Sequence, residues 1–231
     1  MKSIKTKLII YFTVLIVLLA VVVGHVSVRI ASKALTKNAE EALYSLAVDT
    51  AKLAKSRIET QIKTLEMIAT IEDISSMNWD VQQPILQKQV PKTNFLDIGI
   101  VQPDGTVYYS DGTISQLGDR EYVKKALNGE INVSDLILSR VTNELVFMYA
   151  VPIERDGEVV GVLVGRRNAS ALSNITSDAG FGESGYAYMI NSKGTVVAHP
   201  DEERVLNQWN PIEEVKSDKT QESVALEFEK I

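Results

Sequence analysis

The sequence of 231 residues contains no cysteine and only two histidines, His25 and His199, which stand far apart in the chain. The absence of cysteine excludes disulfides, a thiol nucleophile and cysteine-ligated metal sites. Two separated histidines do not make a zinc site, and the sequence contains neither a phosphate-binding loop nor a nucleophile elbow. We therefore expect no metal, no cofactor and no catalytic activity in these residues, which leaves room for an output enzyme downstream.

Basic residues are also in the minority, with 24 Lys and Arg against 30 Asp and Glu and a formal net charge of -6. Nucleic-acid-binding domains carry a basic patch, so we expect no nucleic-acid partner. A chain of this length is long enough to bury a core and holds one large or two small domains.

Residues 8–28 form an apolar run without a single Asp, Glu, Lys or Arg. The run matches the roughly 20 residues that a transmembrane helix needs and exceeds the apolar part of a cleaved signal peptide. Lys2, Lys5 and Lys7 precede it, so the positive-inside rule predicts residues 1–7 in the cytoplasm and residues 30–231 outside. We expect a second membrane span downstream.

Residues 30–72 repeat apolar positions three or four apart, with neither proline nor glycine. This spacing predicts one long amphipathic stalk helix that continues out of the membrane. Its apolar stripe needs a partner surface. A second copy in a homodimer and the helix's own domain are two alternatives that the sequence leaves open.

The rest of the chain predicts an α+β fold with an antiparallel sheet. Segments rich in β-branched and aromatic residues predict strands, at Phe95–Val101, Thr106–Ser110, Ile131–Ser134, Leu145–Val151 and Glu158–Val164. Pro103-Asp104-Gly105 and Asp156-Gly157 predict tight turns between strands. Helices are predicted at Ile85–Val90, after a break at Asn78, Asp80 and Pro84, at Arg120–Leu127 with Asp119 as N-cap, and at Asn168–Asp178.

The strand–turn–strand pattern occurs twice. Asp97–Ser110 aligns without a gap to Tyr186–His199, and in both segments the turn glycine, Gly105 or Gly194, is followed by Thr-Val. This predicts a duplicated unit, of which the second copy, with a helix somewhere in Asp201–Lys230, stops before its closing strands.

These features together resemble the double Cache family of tandem PAS-like extracytoplasmic sensors. The residues that carry the resemblance are the long helix, Asp119–Tyr122, Ala150–Ile153, Val160–Leu163 and the Gly182–Tyr188 segment. The resemblance implies a membrane-distal unit at residues 73–178 and a truncated membrane-proximal unit at residues 179–231.

By the same resemblance, the protein is a ligand-sensing module in a bacterial cell membrane, foremost that of a methyl-accepting chemotaxis protein. The alternatives are the sensor region of a membrane diguanylate cyclase or histidine kinase whose catalytic part lies elsewhere, and a ligand-free adhesion or dimerisation module.

Arg120 and Tyr122 match the Arg and the aromatic residue with which this family binds ligands, and an Arg binds a carboxylate through two parallel hydrogen bonds. Val123 stands where amino-acid receptors of the family have a second aromatic residue, and Ile137 and Ser139 stand where they have a Tyr and an Asp. The resemblance therefore favours a carboxylate or another anion over an amino acid.

Tyr108, Arg140 and Tyr149 are further candidate ligand-binding residues. A surface ion pair of Arg120 and core packing of the two tyrosines are the alternatives, because alternate residues of a strand face the core.

Overall fold

A computed structural model describes residues 4–177, 179–180 and 185–217. The helices are α1 (Ile4–Ala69), α2 (Glu72–Ser75), α3 (Trp79–Gln89), α4 (Glu121–Leu127), α5 (Ser173–Ser177), α6 (Glu202–Leu206) and α7 (Pro211–Ser217), with 3₁₀ helices at Val90–Lys92 and Ala169–Leu172. The strands are β1 (Asp97–Val101), β2 (Thr106–Tyr109), β3 (Ile114–Gln116), β4 (Asn132–Val133), β5 (Ile137–Leu138), β6 (Leu145–Arg155), β7 (Glu158–Asn168), β8 (Met189–Ile190) and β9 (Val196–Ala198).

The chain divides into two compact units, residues 1–49 and residues 50–231. The described part of the first unit is helical throughout. Among the described residues, one helix is long and apolar enough to cross a membrane, and none of its most apolar stretch is buried. Helix α1 ends at Ala69 and a separate short helix starts at Glu72, so the predicted end of the stalk helix at residue 72 is three residues too late.

The second unit is built on a seven-stranded antiparallel sheet in the order β3-β2-β1-β7-β6-β4, with β5 also paired to β6. Its centre is the long β6–β7 hairpin, whose turn residues Asp156 and Gly157 both have positive φ, 54° and 81°. Two such residues suit the right-handed twist of the flanking strands. Together with the helices, this sheet confirms the predicted α+β fold.

The two faces of the sheet bury different apolar clusters. One face, here called the α1 face, packs Ile98, Ile100 and Leu163 against the end of helix α1. The other, the α4 face, packs Val101 and Val164 with residues of helix α4. Because side chains alternate along a strand, neighbouring residues of β1 and β7 belong to opposite faces.

Two local predictions are wrong. Helix α3 starts at Trp79, because the Asn78 side chain accepts a hydrogen bond from the Asp80 backbone N–H and so begins the helix instead of breaking it. Pro84 lies inside this helix, which buries Leu86 against the core. The N-cap of α4 is Arg120, with no capping side-chain hydrogen bond, because the Asp119 carboxylate binds a distant arginine.

The region after β7 holds shorter elements than predicted. The helix predicted for Asn168–Asp178 is a 3₁₀ helix followed by the five residues of α5, with the Asn168 side chain accepting from the Ser170 N–H. Strands β8 and β9 pair antiparallel, and Gly194 between them has φ of 81°, as Gly105 has 86° in the β1–β2 turn. Residues 182–184 of the Gly182–Tyr188 segment, and all residues after 217, lie outside the described residues.

Candidate ligand-binding site

The α4 face carries three buried polar side chains from three adjacent strands. Side chains two or four positions apart in a strand lie on the same face. Asp97 therefore shares the face of Val101 in β1, and Arg166 shares the face of Val164 in β7. Tyr109 joins them from β2. Their exposed fractions are 4% for Asp97, 5% for Arg166 and 2% for Tyr109. A charged residue in this position is unusual for the interior of a sheet.

Only one of the two carboxylate oxygens of Asp97 makes hydrogen bonds among the described residues. Its Oδ1 accepts hydrogen bonds from the Ser110 hydroxyl and from the Ile98 backbone N–H at 2.7 Å. Its Oδ2 is buried and has no hydrogen-bond partner among the described residues. Burial raises the pKa of Asp97 above its ordinary value, against the opposing effect of the hydrogen bond from Ser110. Asp97 is paired in register with Arg166, yet no hydrogen bond joins their side chains in the described structure.

The Arg166 guanidinium lies 5.3 Å from the centre of the Tyr109 ring, within the range of a cation–π interaction. Its Nε and Nη1 are buried and find no acceptor among the described residues. Burial raises the pKa of the Tyr109 phenol to about 12, and Arg166 acts in the opposite direction. Burying a charge without hydrogen-bond partners costs folding free energy. An acceptor bound at Nε and Nη1 would therefore stabilise this guanidinium.

Arg120 and Tyr122 lie at the start of α4, beside the same face. Arg120 Nη2 donates to the Leu138 carbonyl at 3.1 Å, while its Nε is buried and without a partner in the described part of the chain. Tyr122 is buried with 4% exposure, and burial raises the pKa of its phenol. Arg120 also acts electrostatically on the Tyr109 phenol. We call Asp97, Tyr109, Arg120, Tyr122 and Arg166 the α4-face cluster.

Arg120 and Tyr122 also line a cavity of about 730 Å³, within the size range of small-molecule sites. Its other walls are the segment from Asn132 to Ile137 and the turn around Lys193. Lys193 Nζ lies 3.5 Å from Asp135 Oδ2 across this cavity's rim. A small ligand can therefore reach Arg120 from the cavity side.

The Arg140 guanidinium forms hydrogen bonds within the protein. Its Nη1 and Nη2 donate to the two carboxylate oxygens of Asp119 at 2.6 Å each, and Nη1 also donates to the Gln116 carbonyl at 2.8 Å. This hydrogen bonding lowers the pKa of Asp119 to about 2. Arg140 thus fastens the segment after β5 to the segment that leads into α4.

The structure does not gather all the residues predicted for the site. Tyr108 and Tyr149 lie on the α1 face, where the Tyr108 ring is 5.4 Å from Trp79 and the Tyr149 ring meets Phe95 edge-on at 5.5 Å. Arg120, Tyr122 and Arg140 lie on the α4 side. Which of them touch a ligand stays a prediction.

Sequence reasoning missed Asp97, Tyr109 and Arg166. The sequence did contain a signal, because Asp97 and Arg166 are charged residues at buried positions of otherwise apolar strands. Only the pairing of β1 with β7 shows that the two charges are neighbours. Within the described ranges, no three His, Asp or Glu side chains come close enough to hold a metal ion.

His199 forms a second buried polar site, near β9. It is 4% exposed, its Nδ1 accepts from the Asp201 N–H at 2.8 Å, and rings of Tyr186, Tyr188 and Trp209 lie 5.1 to 6.1 Å away. Burial lowers the pKa of His199. The arrangement suits a neutral histidine in an aromatic cluster.

Solved structures of chemoreceptor domains share this fold. The ligand-binding domain of PctB from Pseudomonas aeruginosa, in complex with L-Arg, matches with a TM-score of 0.61 and 23% identity over 74% of this chain and 75% of that one. PctC of the same species, in complex with GABA, gives 0.59 and 21% over 74% and 80%. The Campylobacter jejuni Tlp3 sensory domain with isoleucine bound gives 0.57 and 21% over 73% and 74%.

Two curated relatives are methyl-accepting chemotaxis proteins. PctB of Pseudomonas aeruginosa is 24% identical over 139 residues, which are 58% of this chain and 22% of PctB. PscA of Pseudomonas syringae is 26% identical over 78 residues, 34% of this chain and 12% of PscA. The chain thus matches about a fifth or less of the length of these relatives. A Cache domain family model matches residues 31–231. Since this match takes in most of the chain, the protein belongs to the Cache domain family.

Proposed function

We propose that this chain is the ligand-sensing module of a bacterial transmembrane receptor, foremost a methyl-accepting chemotaxis protein. The relatives PctB and PscA support this assignment, as does the apolar helix near the N-terminus. Residues 1–7 lie in the cytoplasm and residues 30–231 outside, in accordance with the lysines that precede the apolar run. The receptor acts as a homodimer through the apolar stripe of its stalk helix.

The ligand is a small molecule with a carboxylate that binds Arg120. The observation that carries this proposal is the buried Nε of Arg120, which has no acceptor among the described residues although the side chain borders a cavity of small-molecule size. Tyr122 packs beside it, and Arg140 holds the adjoining segments together. Binding biases the receptor between two packed states, which is how a ligand acts across a membrane.

Amino acids belong in the test although the motif comparison disfavours them. That comparison found no acid to balance an α-ammonium group, whereas the structure places the Asp97 carboxylate on the α4 face with Oδ2 free of hydrogen bonds among described residues. The PctB, PctC and Tlp3 domains were solved with L-Arg, GABA and isoleucine, each of which carries a carboxylate.

The test is a thermal-shift screen of the full-length protein in lipid nanodiscs against organic acids, amino acids and purines. A ligand present at 100 times its dissociation constant adds about 2.7 kcal/mol to the free energy of unfolding. We expect a carboxylate to raise the melting temperature and Arg120→Ala to abolish the shift. Lys124→Ala is the matched control, because Lys124 is an exposed cation on the same helix. A shift that survives in Arg120→Ala would refute the assignment of this site.

The response of the cell to the ligand distinguishes a chemoreceptor from the sensor region of a cyclase or histidine kinase. Deleting the gene should abolish taxis toward the ligand if the protein is a chemoreceptor. A change in cyclic dinucleotide level or in kinase-dependent transcription, with taxis intact, supports the cyclase or histidine kinase alternative instead.

A further inference from the structure

The α4-face cluster offers more binding capacity than one carboxylate uses. Besides Arg120 Nε, the buried side-chain atoms on this side of the sheet that lack a partner among the described residues are Nε and Nη1 of Arg166 and Oδ2 of Asp97. They come from β7 and β1, whose register places the two residues side by side. The three groups are two donors with positive charge and one acceptor.

Two nitrogen atoms of the buried Arg166 side chain have no hydrogen-bond partner among the described residues. Its exposed fraction is 5%, and neither an ion pair nor a hydrogen bond holds Nε or Nη1 within the described structure. Its charge is stabilised by the Tyr109 ring, whose centre lies 5.3 Å away, and by attraction to the Asp97 carboxylate, which is paired in register with it. Neither contact gives Nε or Nη1 a hydrogen-bond acceptor among the described residues. Arginine is suited to such a role, because its planar donors match a carboxylate.

The two arginines flank one buried cluster. Tyr109, whose ring lies beside the Arg166 guanidinium, packs in the same cluster as Tyr122, which follows Arg120 by two residues. Each guanidinium suits an anionic group, and the Asp97 carboxylate suits a hydrogen-bond donor. A ligand that completes them needs two anionic ends and one hydrogen-bond donor.

Resting on the proposed carboxylate site at Arg120, the geometry points to a more specific ligand class, a small dicarboxylate that also carries a hydroxyl or amino donor. One carboxylate binds Arg120. The second binds the buried edge of Arg166 above Tyr109. The donor group binds Oδ2 of Asp97. Arg166 is thus the residue that selects a second anionic group, and Asp97 the residue that selects the donor.

The experiment is calorimetric titration of the full-length protein in nanodiscs with malate, lactate and succinate, and with L-aspartate and L-alanine as the amino counterparts. Lactate and alanine lack the second carboxylate, and succinate lacks the donor. Hydrogen bonds to charged groups make a difference of roughly ten- to hundredfold in affinity. We expect malate or aspartate to bind at least about tenfold more tightly than its monocarboxylate counterpart.

Arg166→Gln should remove this preference, whereas Asp97→Asn should reduce the difference between malate and succinate. Arg167→Gln is the matched control, because Arg167 is the next residue of β7 and belongs to the opposite face. Equal affinities for malate and lactate in the unmodified protein, or a preference that survives in Arg166→Gln, would overturn the inference.

The outcomes also separate this inference from the proposed function. If no carboxylate binds at all, the site at Arg120 fails and the inference with it. If lactate binds as tightly as malate and its binding depends on Arg120, the site stands and only the role of Arg166 is refuted. Should Arg166→Gln not fold, the ratio of malate to lactate affinity in the unmodified protein decides, with a ratio of about ten in support and a ratio near one against.

Discussion

Replacing Gly105 by alanine should destabilise the protein far more than the same change at Gly157. Both glycines have positive φ, 86° at Gly105 and 81° at Gly157, a conformation that costs an L-residue about 1–2 kcal/mol. They differ in the space around them. A Cβ at Gly105 would lie 2.4 Å from the Gly118 Cα and 2.4 Å from the Gln116 Oε1, whereas a Cβ at Gly157 meets no atom within 4 Å.

The magnitude follows from this difference. Overpacking against backbone that cannot move aside costs about 1–3 kcal/mol, so Gly105→Ala should lose about 2–5 kcal/mol in total and Gly157→Ala about 1–2 kcal/mol. In a domain of this size, each 1 kcal/mol lowers the melting temperature by about 2–4 °C. The expected losses are therefore about 4–20 °C for Gly105→Ala and about 2–8 °C for Gly157→Ala.

Thermal unfolding of the two variants measures both losses, and ligand titration adds a second readout. The Gly105 carbonyl accepts a hydrogen bond from the Leu117 N–H at 2.8 Å, so the β1–β2 turn supports the segment that leads to Arg120. We expect Gly105→Ala to weaken carboxylate binding and Gly157→Ala to leave it unchanged. Equal losses of stability in the two variants would refute the close packing of this turn on Gly118.

Three further predictions concern ionisation. Because burial raises the folded-state pKa of Asp97, its contribution to stability is present below its unfolded pKa and is lost as pH rises through the folded value. Asp97→Asn, which keeps an acceptor for Ser110, should therefore melt higher than the parent at neutral pH and lose that advantage in acid; a constant difference would contradict this. The pKa of Asp119 is lowered from 3.8 to about 2, so its stabilising effect is lost as pH falls through that window. Asp119→Asn should flatten the curve of melting temperature against pH there, and an unchanged curve would contradict this. The Tyr109 phenol, with a pKa of about 12, should not ionise in a spectrophotometric titration near pH 10 until the protein unfolds.

The parts of the fold that the sequence predicts well depend on neighbours in the chain. The turns at Gly105 and Gly157 need positive φ, and glycine after Asp is the local chemistry for it. The ends of the long hairpin were harder to place. Strands β6 and β7 continue to Arg155 and Asn168, beyond their apolar runs, because the two strands pair with each other from Val146–Asn168 to Arg155–Glu158.

The N-cap prediction was wrong because a residue far away in the sequence determines the partner of the side chain. Asp119 has the side chain of an N-cap, but Arg140, 21 positions away, holds its carboxylate with two hydrogen bonds. A charge-assisted bidentate pair is stronger than a single capping bond. No local pattern announces this pair.

The site shows the same limit. Family motifs pointed to Arg120 and Tyr122, which lie together at the cavity. Tyr108 and Tyr149, two of the further candidates, pack on the other face of the sheet. The partnership of β1 with β7 that brings charged residues side by side is a property of strand order, which the one-dimensional pattern does not contain.

The most direct test of the ligand site is a crystal or cryo-electron microscopy structure of the full-length protein with bound malate. We expect one carboxylate within hydrogen-bond distance of Arg120, about 2.7–3.2 Å, and the other at the buried edge of Arg166, on the α4 face of the sheet. Malate at the His199 cluster, or on the α1 face beside Tyr149, would contradict it.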